Sequence, residues 1–147
     1  VIGVLQKVDM PSVLFFLGIL LAVSALQEFG HLVAVATQLD NTFNGNIYSI
    51  NVIIGLLSSI VDNVPLVAAA QGMYPIESVG SFAADGKFWK FLAYCAGTGG
   101  SALIIGSAAG VAAMGLEKID FGWYLKKISW LAIIGYFSGA LVYFLMF

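Results

Sequence analysis

Two long apolar runs in this chain are each broken near the middle by residues that a membrane-spanning helix does not tolerate there. Ile47 to Ala70 is interrupted by SSIVDNVP, Ser58 to Pro65, and Phe88 to Gly115 is interrupted by GTGGS, Gly97 to Ser101. One continuous helix through the first run would place Asp62, Asn63 and Pro65 near the bilayer centre. A carboxylate there costs several kcal/mol, and proline removes a helix hydrogen bond. Irregular backbone is tolerated at membrane depth only where protein buries it or a wet cavity receives it. Composition sets the same frame: of 147 residues 61% are hydrophobic and only 10% charged, which excludes a free soluble protein. A net charge of −2, six scattered lysines and no arginine exclude a nucleic-acid partner. A lone Cys95 and a lone His31 permit neither a disulfide nor a bis-histidine haem.

These runs predict an all-α membrane protein, one membrane domain over 1–147, with the lipid bilayer as its solvent. Residues 11–39 form a first transmembrane segment, with Pro11 in its first turn. It either continues as one tilted helix or breaks near Gly30. The stretch DNTFNGN, Asp40 to Asn46, reads as a turn. Residues 47–73 form a re-entrant hairpin of two short helices meeting at a polar tip. Residues 88–115 form a broken transmembrane helix, with Gly97, Gly99 and Gly100 as the helix breakers, as Pro65 is in the hairpin. Residues 128–147 form an unbroken last span with Trp130 and Tyr143 near its ends. In that topology Lys7, Lys118, Lys126 and Lys127 share one side and Lys87 and Lys90 the other, which makes the first side cytoplasmic. The hairpin then enters from outside. The chain does not begin with Met and shows no signal-peptide pattern, so it reads as part of a longer one.

The two interruptions offer hydroxyls (Ser58, Ser59, Thr98, Ser101, Ser107), the Asn63 amide, the Asp62 carboxylate and backbone carbonyls freed where helices stop. Hard oxygen donors of this kind suit a small hard cation, not a soft metal. Interrupted apolar segments are the sequence pointer to the midplane site of a secondary transporter. Asp62 has long apolar sequence on both sides, a setting in which a proton and a small cation compete for one carboxylate. The plainer alternative is that Asp62 caps the hairpin's second helix, with Pro65 in its first turn. Glu28 and His31, three apart, would share a helix face as an interfacial pair. Cys95 reads as a small apolar side chain, and Trp89, Trp123 and Trp130 as interface anchors.

SSIVDNVPL, followed by CAGTGGSALIIGSAAGVAAMG and preceded by LFFLGILLAV, resembles the C-terminal half of an NhaD-type sodium/proton antiporter of the ion transporter superfamily. The resemblance covers nearly the whole chain. It implies an inverted-repeat fold in which each half contributes a re-entrant hairpin and a discontinuous helix. The missing N-terminal half would be this chain's partner in the cation site, and the resemblance also implies pairing into homodimers. By the same resemblance Ser58, Asp62 and Asn63 are Na+ ligands at the hairpin tip, and Thr98 and Ser101 are Na+ ligands on the broken helix. The expected activity is Na+(Li+)/H+ antiport by alternating access across a bacterial inner membrane, with no cofactor and no enzymatic reaction. The alternatives are an anion transporter of the same superfamily, carrying arsenite or a carboxylate, and a non-transporting scaffold or inactive truncated product.

Overall fold

In the computed structural model, which describes residues 10–106 and 108–147, the described chain is helical apart from its turns and one isolated bridge between Glu77 and Ala83. Helix α1 covers Met10–Glu28 and α2 His31–Phe43. Between them Gly30 adopts the left-handed conformation (φ 74°), and the two helices meet at 75°. Glu28 and His31 thus close one helix and open the next instead of sharing a face. The turn expected over 40–46 is shorter than its composition predicts. Asn44 (φ 51°) and Gly45 (φ 67°) suffice to stop the helix, the Asn44 N–H bonding back to the Asp40 carbonyl, so Asp40 to Phe43 stay in the last turn of α2.

Asn46 then starts α3, Ile47–Leu57, its side-chain oxygen accepting from the N–H groups of Tyr48 (3.0 Å) and Ser49 (3.1 Å). After a five-residue break, 58–62, comes α4, Asn63–Met73. Pro65 sits in the first turn of α4, where its missing N–H breaks no helical bond. At 11 residues each, α3 and α4 are about 16 Å long, roughly half the hydrocarbon thickness. Their main neighbours differ: α3 lies along α5, Lys87–Gly99, and α4 lies chiefly against α1 and α2, with one side on α5.

The second interruption falls later than the sequence predicts. The helix runs on through Gly97 and Gly99, ends at Gly100, and gives way to two 3-10 turns, Gly100–Ala102 and Ile104–Gly106, before α6, Ala108–Glu117. Glycine tolerates a helix, and the packing of Gly99 on α3 holds this stretch in one. A Cβ at Gly99 would run into the Gly55 carbonyl. Asp120 caps the short α7, Phe121–Lys127, by accepting from the Trp123 N–H at 3.2 Å, and α8, Ser129–Met146, follows. Helix α8 is long and apolar enough to cross a membrane by itself, and Leu20–Glu28 together with α2 meets the same test if the bent pair is taken as one span.

Helices α3, α5 and α8 are bound closely together. The Tyr136 hydroxyl donates to the Val52 carbonyl (2.8 Å), and that of Tyr94 to the Tyr136 carbonyl (2.9 Å). Glycines make the approach possible, because a Cβ at Gly55 would lie 2.6 Å from the Cys95 carbonyl, and Gly139 lies beneath the Tyr94 ring. Phe91, Cys95, Tyr136 and Ala140 form the buried core of this trio. A second core, built on Ile50, Ile54, Tyr74, Phe88 and Leu92, joins it to α2 and α4. At its edge, outside the apolar segments, the Tyr74 hydroxyl meets Asp40 Oδ1 at 3.3 Å, and burial together with that carboxylate pushes the phenol above its usual range. The Lys87 ammonium reaches the Phe147 carbonyl, so the start of α5 and the end of α8 lie together.

Candidate functional site

The two interruptions meet. Ser58, fully buried at the end of α3, donates its hydroxyl hydrogen to the Ala96 carbonyl at 2.8 Å. Its own carbonyl and that of Ser59 face Gly106 so closely that a Cβ at Gly106 would lie 2.6 Å from the Ser59 oxygen and nearer still to that of Ser58. A Cβ at Gly100 would lie 3.0 Å from the Gly106 carbonyl and 3.4 Å from that of Ser58. Side chains at 99, 100 and 106 would push the segments apart, so glycine at these places sets the distance between the breaks.

The structure does not gather the expected site residues in one place. Ser58 lies in the contact itself. Asn63 and Gly97 line one cleft between α4 and α5, together with Ala96, whose carbonyl receives the Ser58 hydroxyl. Thr98, half-buried on α5, donates to the Tyr94 carbonyl one turn back at 2.7 Å. A hydroxyl whose hydrogen is committed to a carbonyl still has its oxygen lone pairs, so both Ser58 and Thr98 are fixed as acceptors, which a cation needs. Ser101 differs: its side chain is exposed, and it is its carbonyl that is held, by the Tyr124 hydroxyl at 2.9 Å. That bond ties α7 to the second break.

Asp62 occupies the N-cap position of α4, yet its side chain makes no capping hydrogen bond. It is partly exposed. The capping role that would explain a carboxylate here without function is therefore not the one it plays. Among the described residues no group of three or more His, Cys, Asp or Glu is placed to hold a metal.

Sequence reasoning did not single out Gly55, Asn51 or the carbonyls of Ser58 and Ser59. Gly106 has a visible signal, a glycine five residues beyond Ser101, but nothing in the sequence says that it faces the hairpin. Asn51 is fully buried on α3, its amide donating to the Phe88 carbonyl at 3.2 Å, and an amide side chain inside the apolar run IYSINVIIGLL could have been noted.

Short apolar helices, two breaks held against each other and a carboxylate at their edge define a class, the helical membrane transporters. The chain belongs to the citrate transporter family, whose sequence profile matches residues 2–89. It is 52% identical over 139 residues to the sodium/proton antiporter 1 of Arabidopsis thaliana, covering 95% of this chain and 23% of that protein. It is 35% identical over 144 residues to the Na(+)/H(+) antiporter NhaD of Vibrio cholerae, covering 97% of this chain and 28% of that protein. The chain thus spans about a quarter of each of these two relatives, less than the half expected from the sequence. No solved structure matches it.

Proposed function

We propose that the complete protein exchanges Na+, and Li+, for H+ across a membrane by alternating access, and that this chain supplies one side of its ion site. The observation that carries the reading is the junction of the two breaks. Ser58 makes the contact itself, Asn63 lines the cleft that Ala96 also lines, Thr98 and Ser101 follow on α5 and the second break, and the Asp62 carboxylate stands uncapped in the first. Protonated, Asp62 offers nothing to a cation; ionised, it attracts one, so a proton and Na+ exclude each other there. The remaining ligands come from the rest of the protein, an inverted repeat of this part. The segment 47–73 acts as a re-entrant hairpin, its two helices each too short to span. Lipid surrounds the apolar faces, and the whole protein pairs as a homodimer. The names of the plant and bacterial relatives support the choice of cation. A bacterial inner membrane is one suitable setting, and the plant relatives extend the family beyond bacteria.

The family's name favours a second reading, a carboxylate as cargo. An uncapped carboxylate at the junction opposes it, since it repels an anion unless protonated or paired with a cation. Proteoliposomes holding the complete protein separate the two readings. Radiolabelled sodium is expected to accumulate when the lumen is acidic, with no uptake of labelled citrate. Citrate uptake without a sodium response would overturn the antiport reading.

A further inference from the structure

The cleft that holds Asn63 and Gly97 does not end at the junction. Its volume is about 500 Å3, room for on the order of ten waters. It shares Val67, Gln71 and Ala93 with a second cleft of about 310 Å3, lined further on by Ile76, Ala84 and Trp89. Because α4 and α5 run antiparallel, the two clefts together follow the seam between them, from the breaks to the loop that joins the helices. Asn63, Val67 and Gln71 recur every four residues and lie on one face of α4. Gln71 sits where the clefts join, its side chain exposed, and apart from Asn63 it is the sole polar side chain in NVPLVAAAQGM. The opposite wall is kept low by Ala93, Ala96 and Gly97. Gly97 is not there for packing: a Cβ on it would meet nothing within 4 Å, in contrast to Gly99 two residues on.

We infer that this seam is the route by which the transported cation and water reach the junction, with the Gln71 amide oxygen as a ligand halfway along and Gly97 holding the inner end open. The inference rests on the cation reading above and adds a route and two residues to it. An amide oxygen offers a cation a weak neutral ligand, enough to replace part of its hydration and too little to trap it. Short apolar walls bind neither the ion nor its water tightly, which suits passage. A lipid-filled groove would gain nothing from a lone exposed amide halfway along it.

Two readouts on the complete protein test this. First, Gln71→Cys and Gly97→Cys are each exposed to a charged, membrane-impermeant thiol reagent and to a lipid-soluble maleimide. The native Cys95 is fully buried and serves as the background. The route predicts that both positions react with the charged reagent and that sodium slows the reaction. Reaction with the maleimide alone would show a lipid-facing groove, and reaction with neither would show a groove filled by protein; both overturn the inference. Second, transport is measured for Gln71→Leu and Gly97→Leu. Loss of one neutral ligand is expected to raise the half-saturating sodium concentration about fivefold in Gln71→Leu. Gly97→Leu is expected to keep the folding stability of the parent and lose most of its rate. Parent-like transport in both variants would overturn the route while leaving the antiport reading intact. A parent protein that moves no sodium would remove the antiport reading, while the thiol labelling would still report whether water enters the seam.

Discussion

Single residues decide how closely the two breaks approach. Gly97 and Gly99 are two apart on the same helix, but only Gly99 has the Gly55 carbonyl where a side chain would go. Gly99→Ala is therefore expected to destabilise the protein by about 1–3 kcal/mol through overpacking. Gly97→Ala is expected to leave stability unchanged or raise it by up to about 1 kcal/mol, because alanine is the better helix former and meets no neighbour. Thermal unfolding of the two variants in detergent checks the contrast, and equal melting temperatures would contradict the packing described. Asn46→Ala removes two capping hydrogen bonds at the start of α3 and is expected to cost about 1 kcal/mol in the same measurement.

At the scale of elements, what binds α3 to α5 and α8 is a small set of directional bonds between closely approaching backbones. The Ser58–Ala96 and Tyr136–Val52 hydrogen bonds hold the end and the middle of α3, and each is buried or partly so. Ser58→Ala and Tyr136→Phe should each lower stability by about 1 kcal/mol, with Ser58→Ala at the upper end because the Ala96 carbonyl is left without that donor. Hydrogen exchange at the end of α3 should rise in Ser58→Ala; unchanged protection there would show that the bond does not secure the tip. The position of the first break could be read in the sequence to within a few residues because it depends on local chemistry, since Pro65 and Asp62 cannot sit in mid-helix; whether the chain breaks at Gly30 could not, because glycine is compatible with a continuous helix and only its left-handed φ ends this one. The shift of the second break from Gly97 to Gly100 could not be read so, because a glycine leaves or stays in a helix according to what packs on it, and Gly99 packs on a helix forty residues earlier. The extension of α2 through Phe43 was hidden for a related reason: Asp and Asn suit a turn, but a cap that needs only Asn44 and Gly45 leaves the others helical. Likewise, that α3 leans on α5 and α4 on α1 and α2 depends on side-chain fit and not on periodicity.

Across the whole molecule, one side is well buried and another is not. Large apolar side chains such as Leu131, Phe137, Leu141 and Leu145 of α8, and Leu17 and Leu21 of α1, stand exposed. Surface of that kind is stable only against lipid or against more protein. The curated relatives are roughly three to four times this length, so in the proposed reading the unit that transports is longer than this chain. The site residues on this chain are then expected to be necessary without being sufficient. The most direct test uses everted vesicles from cells lacking their own antiporters, carrying the complete protein and energised to acidify the lumen, with a pH-sensitive dye as reporter. Addition of sodium or lithium should collapse the pH gradient, potassium should not, and Asp62→Asn, expressed and folded like the parent, should give no response to any of them. A gradient that sodium and lithium leave untouched in the parent protein, or an Asp62→Asn variant that responds as the parent does, would contradict a cation site at the junction of the two breaks.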